Sequence, residues 1–318
     1  MESQAKTKYR IRNWSNYNKA MVQRGSLTIW FSSEAIEKWF AEKECKKGRP
    51  KKYSNDAILC ALMIKSVYRL PFRALCGLLM SLVGLLGLAL PIPCYTRICR
   101  RARELGQEIK RLGNKRPRDI VFDSTGLKVF GEGEWKVRQH GAGKRRTWRK
   151  LHLAICPNSH DIILEYVTPS CTSDSEVLPV MEKQLPRTLE KAYADGAYDK
   201  DCCYQVFSKR GITPVIPPQK NAVIRDSENK PWRRSRNNAL FMIRELGDDE
   251  GARKLWKKLS RYHKRSLIET AMFRFKTLFG GSLACRQMPN QKAEVYAKCL
   301  VINRMNALGM PTGEWITL

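Results

Sequence analysis

From Asp119 onward the chain is cut into short apolar runs, each too short for a core helix and each closed by turn residues. The first three, 119–126, 151–155 and 162–167, follow one another with no helical pattern between them. Ser173-Asp174-Ser175-Glu176 then has the form of a capping box and opens a helix through Leu185. A strand at 189–194, a helix from about Lys200 to Arg210 and a strand at 213–216 complete the series. Three strands in succession, then strands alternating with helices, predict a mixed sheet covered by helices, an α/β fold. Residues 217–259 read as a polar, basic insertion carrying Trp232 and Trp256. A helix at 262–276 and a tail helix at 292–308 follow.

Upstream of the linker at 113–117 the periodicity is helical. Residues 1 to about 25 are polar and basic and are expected to form a poorly ordered arm. Ser32-Ser33-Glu34 opens a helical pattern through Trp39 and Phe40, which runs into a basic turn from Lys46 to Lys52. Ser54 caps a helix with Ile58, Leu59, Leu62, Met63 and Val67 at helical intervals. Pro71 opens a second helix, through Leu79. Tyr95-Thr96 opens a third, with Arg97, Arg100, Arg101 and Arg103 expected on its exposed face. Three short helices ending in one rich in arginine are compatible with helix-turn-helix DNA binding, although small helical domains of other kinds share the pattern. The expected division is a helical, DNA-binding region at 1–112 and a mixed-sheet domain at 113–318.

Charge narrows the partners. Lys and Arg number 59 against 30 Asp and Glu, a formal net charge of +29. Such an excess repels itself unless a polyanion is bound, so nucleic acid leads and an anionic membrane surface is second. The uncharged run 74–90 is short of a span, is interrupted by Gly77, Gly84 and Gly87, and is stopped by Pro91 and Pro93, so a buried helix is expected. The N-terminus carries no secretory signal pattern. Eleven cysteines without a Cys-x-x-Cys pair, and four histidines outside zinc-like spacing, point to reduced thiols. There is no Walker loop and no Gly-x-Gly-x-x-Gly, so no nucleotide cofactor is expected.

The chemistry-bearing residues are acidic and few. Asp123 ends the first apolar run, and Asp195 directly follows the run at 189–194. Turned at roughly 100° per residue, Tyr262, Arg265, Glu269 and Lys276 share one helical stripe. Singly, a strand-end aspartate is a turn former or helix cap, and such a stripe is a solvated ion-pair face. Together, three carboxylates suit a hard cation with oxygen ligands, Mg²⁺ before Zn²⁺, and two such ions suit displacement at phosphorus. Residues 135–150 hold seven Lys or Arg and no acid, with Trp135 and Trp148 among them. Lys144, Arg145, Arg146, Trp148, Arg149 and Lys150 are candidates for a nucleic-acid backbone, with a solvated hairpin as the alternative.

Three blocks in order resemble one family: Val121-Phe122-Asp123-Ser124-Thr125-Gly126-Leu127-Lys128, then Tyr193-Ala194-Asp195-Gly196-Ala197-Tyr198-Asp199, then Tyr262, Arg265, Glu269 and Lys276 at gaps of two, three and six residues. Arg24-Gly25-Ser26-Leu27 and the stretch from Gly131 to His152 add to it. The sequence resembles the DDE transposases of bacterial insertion sequences, specifically the insertion-sequence-five family. The resemblance implies an RNase H-like catalytic domain behind an N-terminal helical DNA-binding domain. Asp123, Asp195 and Glu269 would be catalytic metal ligands for two Mg²⁺ or Mn²⁺ ions. Arg265 and Lys276 would hold DNA phosphates or terminal bases, and Tyr262 would help seat the transposon end. The implied partners are double-stranded terminal inverted repeats, target DNA and further copies of the chain in a homodimer or larger synaptic complex, in the bacterial cytoplasm at the nucleoid. A repurposed, inactive DNA-binding protein and an RNase H-like nuclease without strand transfer are the competing readings.

Overall fold

The computed structural model describes residues 7–31, 33–42, 50–106, 112–113, 116–129 and 147–317. In chain order these form β1 (Thr7–Ile11), α1 (Trp14–Gln23), α2 (Leu27–Trp30), α3 (Ser33–Glu37), α4 (Asn55–Val67), α5 (Phe72–Leu85) and α6 (Tyr95–Leu105). Next come β2 (Asp119–Val129), β3 (Trp148–Ile155), β4 (Ile162–Pro169), α7 (Asp174–Met181), β5 (Lys191–Tyr193), α8 (Asp201–Lys209) and β6 (Thr213–Val215). The chain closes with α9 (Arg234–Glu245), α10 (Glu250–Leu259), α11 (Ser266–Phe279), β7 (Ser282–Leu283), α12 (Met288–Leu308) and β8 (Gly313–Thr317). Contacts divide it into two compact units, Met1–Ile98 with Leu300–Leu318, and Cys99–Cys299.

The first unit is mainly helical. Ser54 Oγ accepts the Ala57 N–H at 3.0 Å, as the capping pattern requires, and α4 buries Ala57, Ile58, Ala61 and Ile64. Trp30 and Trp39 are fully buried, and each indole N–H finds a carbonyl, Arg24 O at 3.1 Å and Pro91 O at 2.9 Å. Residues 14–23 depart from the expected loose arm by forming α1, and residues 7–11 depart from it too. The latter form β1, paired antiparallel with β8 from the other end of the chain. Neither five-residue strand is stable alone, so neither registers as a strand until its partner is in place. The run 74–90 contributes to α5, which buries Leu75, Cys76, Leu79, Leu82 and Val83. Among the described residues no single helix is long and apolar enough to cross a membrane.

The second unit holds the sheet, in the order β4-β3-β2-β5-β6. β4, β3 and β2 are antiparallel, whereas β2, β5 and β6 are parallel, the mixed arrangement expected from the element order. Ile120 and Phe122 face a core of Val177, Leu178, Met181, Tyr198, Cys203 and Phe207, supplied by α7, α8 and the turn before α8. Alternation turns Asp119, Val121 and Asp123 to the other face, which α11 covers through Ile268, Ala271, Met272 and Phe275. β5 pairs with β2 only from Asp119 to Val121, and β7 resumes the pairing at Lys128. Residues 122–127 therefore lack a strand partner on that side among the described residues. The opening in the sheet sits where Asp123 stands.

Several boundaries differ from those read in the sequence. Trp148, Arg149 and Lys150 belong to β3 rather than to a separate basic hairpin. Arg101 is buried against Glu104 at 3.2 Å, while Arg97, Arg100 and Arg103 are exposed. The insertion contains two helices, α9 and α10, and the buried Asp199–Arg236 pair at 2.9 Å ties α9 to the turn before α8.

Glu165 of β4 is buried, with Oε2 unpaired, beside Lys292 at the wall of a small cavity. Burial pushes its carboxyl up to about 8, against the pull of Lys292. Its pKa is thus raised above the ordinary 4.5, so the fold loses stability as pH rises from 4.5 through about 8. Glu165→Gln cannot ionise, and its stability relative to the native chain should climb across that interval by on the order of 3 kcal/mol. Urea unfolding at pH 5, 7 and 9 reads this difference; a constant offset at all three contradicts it.

Candidate active site

β2 carries Asp123 into the opening of the sheet, where its side chain is only 12% exposed. Its Oδ1 accepts the Ser124 N–H at 2.8 Å, and its Oδ2 accepts Arg265 Nη2 at 2.6 Å. β5 ends at Tyr193, and Asp195 follows as the cap of a 3-10 turn, Oδ1 accepting the Ala197 N–H at 2.9 Å. The other oxygen of Asp195 stands 3.8 Å from Arg265 Nη2. Glu269, in the first turn of α11, pairs with Arg265 Nη1. Three carboxylates from three distant parts of the chain thus surround one guanidinium.

The Tyr262–Lys276 stretch is not one continuous helix. Arg261 takes the left-handed conformation at φ 56°, Tyr262–Arg265 is a 3-10 turn, and α11 begins at Ser266. The stripe survives where it matters, because Arg265 and Glu269 remain four residues apart and touch. Lys264 locks the turn in place, its ammonium 2.5 Å from Asp119 Oδ2 and 5.7 Å from the Tyr193 ring. Asp119 and Asp123 share a face of β2 with Val121 between them, so Lys264 and Arg265 dock on the same face of that strand, four residues apart. Tyr262 is half-buried, and Lys257 lies 5.7 Å from its ring. Burial, together with the charges of Asp195, Asp123 and Glu269, pushes its phenol up to about 12 against the opposing Arg265, so it stays protonated. Lys276 is exposed, two turns further along α11.

Two family models, each described as a transposase DDE domain, match the sequence at residues 22–132 and 114–304. The second alone covers more than half of the chain and contains all three carboxylates. The chain belongs to the transposase DDE domain family.

For a DDE domain the charge balance of this cluster is the relevant test. Burial raises Asp123 above the usual carboxylate range, and Asp195 and Asp174 push the same way, while Ser124 N–H and Arg265 oppose. Such a site favours a nearby cation, and its donors are all carboxylate oxygens, which fit a hard divalent ion. Asp195 at 36% and Glu269 at 59% exposure keep that side of the cluster open. Among the described residues no three His, Cys, Asp or Glu side chains stand ready-made around a metal position. The guanidinium is the cation that the carboxylates share.

The basic candidates divide. Lys144, Arg145 and Arg146 lie outside the described residues. Trp148 is partly exposed, with Lys128 Nζ 5.6 Å from its ring, and the ring lies so close over Gly126 that a Cβ there would come within 3.3 Å. Arg149 Nε donates to Gln291 Oε1 at 2.9 Å, and Lys150 Nζ reaches Asp174 Oδ1 at 3.0 Å. Both are turned to protein partners rather than held free. Asp119, Lys264, Asp174 and His152 also bear on the site; each lay in a stretch marked by the sequence, but none was singled out as a site residue. The signal for Asp119 was its even spacing from Asp123 on one strand.

Removing the shared cation should expose the repulsion it offsets. Arg265→Gln should cost roughly 1–3 kcal/mol at pH 7.5, discounted from a fully buried pair because the cluster is partly solvated. Asp123 is already raised, so the loss should shrink as pH falls and the carboxylates take up protons. Mn²⁺ should raise the melting midpoint of the variant more than that of the native chain. Equal cost at pH 7.5 and pH 4, with no added Mn²⁺ response, counts against this account.

Proposed function

We propose that this DDE-family chain is a DNA transposase of the insertion-sequence-five type, acting on the ends of its own element in the bacterial cytoplasm. The observation that carries the reading is the convergence of Asp123, Asp195 and Glu269 on Arg265, inside the stretch matched by the family model. Asp123, Asp195 and Glu269 would hold Mg²⁺ or Mn²⁺, two ions per site. Bound there, the ions supply an activated water and neutralise charge developing at phosphorus.

The residues of the chain do the rest. Asp123 and Asp195 each have one oxygen fixed by a backbone N–H, which orients the other toward the common centre. Arg265 sits among them, positioned to exchange a carboxylate for a DNA phosphate. Such bidentate recognition suits a guanidinium better than an ammonium. Tyr262 presents a protonated phenol to the transposon end, and Lys276 offers an exposed charge to the backbone further along. In the first step, water attacks phosphorus at each element end and the 3′-oxygen leaves as a free hydroxyl. In the second, that hydroxyl attacks a target phosphodiester, forming a new bond and releasing a target 3′-hydroxyl. Two ends must meet, so a dimer or larger synaptic assembly fits the reaction. The net charge of +29 suits the amount of DNA phosphate so gathered. A helix-turn-helix role for the N-terminal helices, and an RNase H-like ancestry for the sheet, belong to the same proposal.

The test uses labelled duplexes copied from the DNA flanking the coding region, with Mg²⁺ or with EDTA. Nicking and joined products in Mg²⁺ alone support transposition. Nicking without joining identifies a nuclease, and metal-indifferent binding without cleavage identifies a repurposed DNA-binding protein. Asp123→Asn, Asp195→Asn and Glu269→Gln should each lower cleavage at least about 10³-fold, the scale of losing a central electrostatic group, while duplex affinity stays within a few-fold. Gel-shift and cleavage assays on one preparation separate the two effects.

A further inference from the structure

On the opposite face of the sheet from Asp123, a second charged cluster is closed by the first turn of α7. Asp174 Oδ1 meets Lys150 Nζ at 3.0 Å and His152 Nδ1 at 3.1 Å, ion-pair separations rather than well-aligned hydrogen bonds. The Ser124 side chain helps to hold the same carboxylate charged. Lys150 Nζ also donates to Thr172 O at 3.3 Å, and His152, buried, sets Nε2 2.9 Å from Thr168 Oγ1. One carboxylate therefore gathers β2, β3 and α7, and reaches β4 through His152. Ser124 and His152 are cross-strand partners, as are Gly126 and Lys150, so the clamp spans a ladder already in register. Burial works against the charge on Asp174, but His152, Ser124 and Lys150 hold its carboxyl down to about 2.

The location gives the cluster its consequence. Ser124 lies in the part of β2 that β5 and β7 leave without a partner, and its N–H holds Asp123 Oδ1 at 2.8 Å. Hydrogen bonds from β3 secure this stretch on one side only. We propose that Asp174 is a positioning residue for Asp123, clamping Ser124, His152 and Lys150 from behind the sheet so that the Ser124 N–H keeps the Asp123 carboxylate oriented toward Arg265 and Asp195. The inference rests on the catalytic reading of Asp123.

The experiment titrates Mn²⁺ into the full chain without DNA and measures cleavage kinetics at saturating Mn²⁺, for Asp174→Asn, Asp174→Ala, Ser124→Ala and the double variant, with Asp123→Asn as reference. Asp174→Asn should weaken Mn²⁺ binding roughly 10–100-fold, the usual effect of removing a group that orients a ligand. It should lower kcat per folded molecule, with the folded fraction measured on the same preparation, while leaving KM for the duplex unchanged; a loss of stability alone lowers the folded fraction and leaves that corrected kcat native. Ser124→Ala, which removes only a hydroxyl, should shift both quantities in the same direction and add less than its full effect to Asp174→Ala. Native Mn²⁺ affinity and kcat in Asp174→Asn, or full additivity in the double variant, overturns the proposal. Loss of Mn²⁺ binding as complete as in Asp123→Asn overturns it differently, making Asp174 a ligand. Unchanged Mn²⁺ binding in Asp123→Asn itself fails the catalytic reading, and the positioning role falls with it.

Discussion

Asp123 is a carboxylate set into a gap in a sheet, and much of the second unit is organised around tolerating it there. With its side chain nearly nine-tenths covered, an unopposed charge would cost several kcal/mol. Two groups oppose it, the Ser124 N–H from its own strand and the Arg265 guanidinium from more than a hundred residues away. The gap exists because β5 leaves β2 after Val121 and β7 joins only at Lys128. A continuous ladder would have no room for Asp195 to swing in behind Tyr193, or for the turn before α11 to lower Arg265 into the site.

The same economy explains the turn itself. A plain α-helix from Tyr262 would place its side chains by a 3.6-residue period, but residues 262–265 wind tighter and follow a left-handed Arg261. Lys264 and Arg265, adjacent in sequence, then meet Asp119 and Asp123, which are four apart on a strand and lie on one face. The two ion pairs fasten the start of α11 across β2, and its apolar face, Ile268, Ala271 and Phe275, closes over the sheet beyond them. On the other face Asp174 does a comparable job with Lys150 and His152. The strand bearing Asp123 is held by charge on both faces.

How much of this was legible depended on how far apart the partners lie. The capping box at Ser173, the Ser54 cap, the strands at β2 to β4 and the helices α4 and α8 are local in origin, and they stand within a few residues of where the pattern puts them. Asp123 and Asp195 stood out because each closes an apolar run. The Lys264–Asp119 pair did not, since 145 residues separate its members and neither has a local signature. Arg149 and Lys150 read as a DNA-facing surface from composition alone, yet Gln291 and Asp174 engage them. A basic residue at the end of a strand is free or paired according to what packs above it, and the packing element comes from elsewhere in the chain. The N-terminal arm became β1 for the same reason, its partner being the other terminus.

The amino-acid sequence by itself determined the order of elements from β2 to β6, the aspartates that close apolar runs, and the Arg265–Glu269 spacing, because hydrogen-bonded periodicity and capping act over a few residues. The tertiary structure decided that the three carboxylates meet on Arg265, that Lys264 and Asp174 brace the strand between them, and that part of the basic surface turns inward. Those outcomes depend on which distant side chains are brought close enough, in a poorly solvated gap, for charge to outweigh the cost of burial.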